Sequence, residues 1–244
     1  MKRVFADLHL RINSKDEKNI RYFIDRAKRF GYSQISFPFN TQLEEVQSNG
    51  LKKSCTHAGI DFVSRADFRP KNQQDLMKFL RKFRRKLEVI CILTDNKEIA
   101  RQAAKDRRVD ILNFPSLDYH KRFFDRAEAE LASQSQTGLE IDVKSLLVLE
   151  GPSRVRLLSC LRREVAIARE FKVPILVSSG VGEAHLMRMP RDLASLGNLF
   201  GLNETEALDA VSNNPNTIVE RNRKKLDSNF VAPVAGFVIK PPFI

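Results

Sequence analysis

Tryptophan is absent from the sequence, tyrosine occurs three times and histidine four. With so few flat side chains outside the phenylalanines, a protein that grips unpaired bases on aromatic platforms is disfavoured. Four histidines are also few for a multinuclear hydrolytic metal centre, which needs convergent imidazoles and carboxylates with positions left open for water. The cysteines, Cys55, Cys91 and Cys160, are odd in number and far apart, and Cys91 sits inside the apolar run VICIL. They read as reduced thiols of an intracellular protein, not as a disulfide framework. No apolar run approaches the ~20 residues that cross a bilayer. The opening residues lack the pattern of a secretory leader, and no lipidation motif is present. A cytoplasmic protein with no membrane partner is the expectation.

What the sequence has in excess is positive charge. Forty-two Lys and Arg against thirty Asp and Glu give +12 and a pI near 9.8, which suits a polyanionic partner, nucleic acid first. The densest run is KFLRKFRRK, residues 78–86, with six basic residues in nine. Leu76, Leu80, Phe83 and Leu87 recur at helical spacing and would face a core, leaving Lys78, Arg81, Lys82, Arg84 and Arg85 on the other side. A single such face is commonly only solvated. Three further clusters, RQAAKDRR, RVRLLSCLRR and ERNRKK, imply a surface. Without stacking platforms, that surface suits a structured RNA recognised by shape and backbone.

Strand-like runs alternate with helical patterns throughout: RVFADLHL, SQISFPF, IDFVSRADF, LEVICILTD, VDILNFP, GLEIDV and VPILVSSG are seven strands separated by helices. Gly31 and Gly59 follow helical runs, where a left-handed cap favours glycine. Asp95 with Glu98, and Asn203 with Glu206, have capping-box spacing. The polar stretch SQSQTG reads as a surface loop. No linker divides the chain and no glycine-rich phosphate fingerprint occurs, so one α/β barrel of the TIM type over residues 1–226 is favoured over an open sheet. The apolar tail, residues 227–244, is expected to pack on that barrel.

Barrel enzymes place their chemistry at the C-terminal ends of strands. The residues there are Asp7 and His9, Asp67, Asp95, Glu140 and Asp142, and Ser178 and Ser179. Strand alternation puts Asp7, His9 and Arg11 on one face. The stretch VFADLHLR resembles the first strand of metal-dependent phosphoesterases of the polymerase-and-histidinol-phosphatase class, Asp-x-His-x-His, with Arg11 in place of the second histidine. Two readings of His9 stand, a structural or RNA-contacting residue and a metal ligand. Arg11 brings a permanent positive charge to the place of a cation, and Asp7 is expected to pair with an arginine.

The ordered set FADLHLR, GLEIDVKSLL, VPILVSSGV, RMPRDLASLGNLFGL and VSNNPNTIVERNRKKL resembles the ribonuclease P protein component 3 family, the archaeal counterpart of the thirty-kilodalton eukaryotic ribonuclease P subunit. The resemblance covers nearly the whole chain. It implies a distorted seven-stranded α/β barrel and a subunit of the ribonucleoprotein that removes the 5′ leader of precursor tRNA. It also implies that the RNA subunit is the catalyst, with its own magnesium, that this chain binds no cofactor and has no catalytic residue, and that a smaller ferredoxin-like protein subunit and other subunits accompany it. By the same likeness Arg188, Arg191, Arg221, Arg223, Lys224 and Lys225 contact RNA or partner, with Asp192 orienting Arg191. The alternative carried forward is a free-standing metal phosphoesterase.

Overall fold

The computed structural model describes residues 3–12, 16–39, 45–118 and 121–227. Among the described residues eight short strands carry the fold: β1 (Ala6–Asp7), β2 (Gln34–Ile35), β3 (Asp61–Phe62), β4 (Arg65–Phe68), β5 (Val89–Leu93), β6 (Ile111–Asn113), β7 (Gly138–Asp142) and β8 (Ile175–Ser178). Their order is β1-β2-β3 in one sheet and β4-β5-β6-β7-β8 in a second, and every pairing is parallel. A parallel bridge between Phe39 and Ala66 joins the sheets on one side. On the other, the Arg11 amide donates to the Val181 carbonyl at 2.8 Å, with no ladder between β8 and β1. The architecture is the distorted TIM-like barrel with helices around it, not closed by a continuous ladder.

The run IDFVSRADF supplies both β3 and β4, so the seven expected strands become eight hydrogen-bonded segments. The bend is pinned at Ser64, whose amide and hydroxyl both donate to Glu88 Oε2, at 2.6 and 2.8 Å.

The helices are α1 (Glu17–Phe30), α2 (Glu45–Ala58), α3 (Gln73–Phe83), α4 (Lys97–Ala104), α5 (Arg126–Ser135), α6 (Lys144–Val148), α7 (Gly151–Glu170), α8 (Pro190–Gly197), α9 (Glu204–Ala210) and α10 (Asn213–Leu226). Gly31 ends α1 with φ +85°, as a left-handed cap requires. Asn203 and Glu206 form the capping box of α9. At α4 the cap is Asn96 and not Asp95, because the Asn96 side chain reaches the amides of Glu98 and Ile99. The segment SQSQTG is not a free loop: Ser133 to Ser135 complete α5, and Ser135 and Thr137 are buried.

Alternation along the strands separates two apolar regions. Ile90, Ile92, Leu112, Leu139 and Ile141 face outward into the large core beneath the helices, where α3 contributes Leu76, Phe79, Leu80 and Phe83. Each such side chain contributes roughly 1.5–3 kcal/mol through burial. Inside the barrel, Ala6, Leu8, Val63, Val89, Cys91, Ile111 and Leu176 meet Ile218 and Val219 of α10, which closes the end where the strands begin. The other end of the interior is polar. No helix among the described residues is long and apolar enough to cross a membrane. The tail beyond Asp227, with its expected packing, lies outside the described residues, as does His120.

Candidate nucleic-acid interface

Strands β4, β6 and β7 point Arg65, Asp67, Asn113, Glu140 and Asp142 into the polar part of the interior, since period-two spacing places Arg65 with Asp67 and Glu140 with Asp142 on the same face. Arg65 and Glu140 are fully buried and paired through two bonds of 2.6 Å each, and Arg65 Nε donates to Asp67 Oδ1 at 2.6 Å. His9, also buried, sets Nε2 at 2.8 Å from Asp67 and Nδ1 at 2.7 Å from Asp142. Asn113 Nδ2 donates to Glu140 and Asp142 at 2.9 and 3.1 Å, and the Ser178 hydroxyl donates to Asp142 at 2.9 Å.

Burial alone would lower the His9 pKa, but Asp142 and then Asp67 hold it well above the ordinary imidazole value. Burial would likewise raise Asp67, Glu140 and Asp142. Arg65 and His9 lower the first two, and His9 lowers Asp142, to below the usual carboxylate range. Arg11 Nε lies 2.7 Å from His9 Nε2, where it can donate only to a neutral ring. Because carboxylates flank both ring nitrogens, the imidazolium is the favoured state. The usable partner of Arg11 is then Asp142 Oδ2 at 3.1 Å. Three carboxylates thus face Arg65, Arg11 and the His9 imidazolium, and the mouth is charge-balanced.

Asp7 does not pair with an arginine. The β1 ladder ends at Asp7; beyond it the His9 and Arg11 side chains still meet, at 2.7 Å, while Asp7 turns to backbone amides. The Asp7 Oδ1 instead accepts the amides of His9 and Ser179 at 3.3 and 3.2 Å, its Oδ2 is buried without a partner, and burial pushes its pKa up. Asp95, also at a strand end, stays outside the network, exposed and 3.5 Å from Arg69.

Ligand atoms of His9, Glu140 and Asp142 converge within 4.8 Å of one another. They do not fit a metal ion: both Glu140 oxygens are engaged by Arg65, and the His9 nitrogens by Asp142 and Asp67. Beside them lies a cavity of about 60 Å³ lined by Arg11, Asn113, Asp142, Lys144 and Gly180, with room for little more than water.

The opposite end differs in charge. There the C-terminus of α3, the segment after α4 and the helix α10 converge on Asp110, the buried residue before β6. Its carboxylate accepts from Arg84, from Arg221 at 2.9 Å, from Asn222 at 2.8 Å and from the Ile90 amide at 2.8 Å. Arg223 is similarly tied to Glu88 and, at 2.7 and 2.9 Å, to Asp61. Around these paired arginines, Arg85, Arg107, Lys224 and Lys225 are exposed. Arg84 also donates to the Arg108 carbonyl at 3.1 Å, which sets the end of α3 against the segment after α4, and partial burial with the charges of Arg221, Arg84 and Arg107 pulls the Lys225 pKa below the ordinary lysine value. Three of the four basic clusters in the sequence therefore share one face.

The family described as RNase P subunit p30 matches residues 4–227. The chain belongs to that family. Ribonuclease P protein component 3 of Methanosarcina barkeri is 31% identical over 201 residues, 81% of each chain. That of Methanococcoides burtonii is 28% identical over 229 residues, 94% of this chain and 92% of the relative. A chain in a cryo-EM structure of archaeal ribonuclease P with mature tRNA has the same fold, with TM-score 0.82 at 20% identity, covering 98% of this chain and 100% of that one. A lactonase from Listeria monocytogenes shares the barrel more distantly, with TM-score 0.50 at 10% identity over 88% and 93% of the two chains.

In this p30 family member the residues singled out from sequence separate into classes. Lys78, Arg81 and Lys82 are exposed on α3 and Arg85 is exposed in the turn after it, and Arg81 lines a groove with Met77 and Gln102. Arg84 is not on that exposed face: it is the C-cap of α3, turned inward to Asp110. Arg188 donates to the carbonyls of His185 and Met187, and Arg191 is exposed with no ion pair to Asp192. Sequence reasoning missed Arg65 and Asp110. Arg65 was detectable as a cation two residues before Asp67 in an otherwise buried strand.

Gly180 holds the Asp142 side of the mouth. Its φ is +63°, and a Cβ there would lie 2.8 Å from Asp142 Cγ. Gly180→Ala is expected to lower the unfolding free energy in urea by about 1–3 kcal/mol.

Proposed function

We propose that this chain serves as the p30-type protein subunit of a cytoplasmic ribonuclease P, and that it binds the RNA subunit through the basic face around Asp110. The family match carries the first part, and the meeting of Arg84, Arg221 and Asn222 on Asp110, with Arg84 also held by the Arg108 carbonyl, carries the second. Arg85, Arg107, Lys224 and Lys225 meet phosphates, while Arg84, Arg221 and Arg223 hold the platform by pairing with Asp110, Glu88 and Asp61. Lys78, Arg81 and Lys82 extend the surface along α3, and Arg11, Arg188 and Arg191 contribute RNA or partner contacts near the mouth. Cleavage of the 5′ leader of precursor tRNA belongs to the RNA subunit and its magnesium. The chain supplies no catalytic group and no resident metal, and acts beside a smaller ferredoxin-like subunit and the other protein subunits.

The test is salt-dependent binding to ribonuclease P RNA by wild type and by Arg85→Ala/Arg107→Ala/Lys224→Ala. Losing three phosphate contacts should flatten the slope of log affinity against log salt by about 2–3. The unfolding midpoint should stay within the small range usual for exposed substitutions. An unchanged slope would move the RNA to another face. Leaving the chain out of a reconstituted precursor-tRNA cleavage reaction should lower the rate or raise the magnesium requirement. No change in either would remove the subunit role.

A further inference from the structure

We propose that Arg65 is the resident cation of the barrel mouth, held by side chains that would otherwise gather a divalent metal ion. The proposal is independent of the RNA-binding face. It starts from a disagreement: His9, Glu140 and Asp142 converge as metal ligands do, yet their donor atoms are already taken. The guanidinium is fully buried, fastened to both oxygens of Glu140 at 2.6 Å and to Asp67 at 2.6 Å. Asp67 and Asp142 in turn clasp His9 at 2.8 and 2.7 Å. Every carboxylate of the ring therefore contacts Arg65 or a residue bound to one of its partners.

Chemistry and position both favour arginine in this role. A planar guanidinium presents five donors in a fixed fork that matches carboxylates two oxygens at a time, and it stays charged when buried. Arg11, a partly exposed residue with its side chain 41% accessible, lies over this group and, among the described residues, pairs with the outermost carboxylate, Asp142. It is a cover, whereas Arg65 is the centre. Asp67, Glu140 and Asp142 cannot stand ionised side by side in a dry interior without a cation among them.

Removing the guanidinium should therefore turn the mouth into a metal site. The experiment titrates the full-length wild type, Arg65→Ala, Arg65→Lys and His9→Ala/Arg65→Ala with cobalt(II) and zinc(II), reading cobalt visible absorption and the thermal midpoint. Arg65→Ala should bind one equivalent of cobalt with ligand-field bands, and zinc should raise its midpoint by several degrees. Wild type and Arg65→Lys should do neither, and the double variant should lose the cobalt bands. If Arg65→Ala does not fold alone, refolding it with zinc should restore native structure, and refolding it with chelator should not. A folded Arg65→Ala without metal affinity, failure to refold with zinc, or stoichiometric metal binding by wild type or Arg65→Lys would each overturn the proposal.

Discussion

Between pH 5 and pH 8 the wild-type protein should lose stability as pH rises, and Glu128→Gln should remove a large part of that loss. Glu128 is the third residue of α5, fully buried, and among the described residues neither of its carboxylate oxygens has a partner. Burial, and then the neighbouring Asp125, push its pKa from 4.5 up to about 8. The folded state therefore keeps a proton that the unfolded chain releases near pH 4.5. Its stabilisation is complete below that pH and is lost as pH climbs towards 8. At 1.36 kcal/mol per pH unit, the loss across the window is about 3–5 kcal/mol. His9 adds a slope of the same sign above pH 6.5, and Asp7 another from pH 3.8 upward, because both folded-state pKa values are also raised. Asp125 is depressed and acts below the window. The measurement is thus the difference between wild type and Glu128→Gln in urea unfolding at several pH values. Near pH 5 the glutamine should be close to neutral, and at pH 8 it should be the more stable protein. Parallel curves would mean that the carboxyl is ionised and hydrated in the native state.

Much of the barrel was legible because its code is local. VICIL could only be a strand buried on both faces, and Leu76, Leu80 and Phe83 could only be the inner stripe of α3. The acids at the strand ends were legible too, since topology decides which end carries them. What sequence could not supply was the partner of each charge. Arg65 and Glu140 are 75 residues apart, and Arg221 and Asp110 are 111 apart, so nothing in either neighbourhood announces the bond. Arg11 drew attention because it occupies a familiar motif position, while the buried cation was Arg65. The same limit affected Arg84, which belongs to a run of exposed bases by sequence and to the interior by geometry. Charge counts also hid a contrast between the barrel's two ends: the mouth balances its three carboxylates with neighbouring cations, and the opposite end carries exposed cations beyond those its acids neutralise.

Asp110→Ala should destabilise the protein by about 3–5 kcal/mol, the loss expected when one member of a buried ion-pair network is removed. The carboxylate is 1% exposed and accepts from four donors on three elements: Arg84 of α3, the Ile90 amide of β5, and Arg221 and Asn222 of α10. Its removal leaves two largely buried guanidinium groups facing each other, with Lys225 nearby, and frees a buried amide that water cannot easily reach. Arg84→Ala should cost less, because Arg221 and Asn222 would still satisfy Asp110. RNA affinity should move the other way. At low temperature, where the folded form still dominates, Asp110→Ala removes the central anion of the basic face, so its affinity for ribonuclease P RNA should equal or exceed that of wild type. Arg85→Ala/Arg107→Ala/Lys224→Ala should instead retain stability and lose affinity. A stability loss under 1 kcal/mol would show that Arg84 and Arg221 find water in place of Asp110. Weaker RNA binding by the folded variant would show that the face must keep its shape, and not only its charge, to hold the RNA.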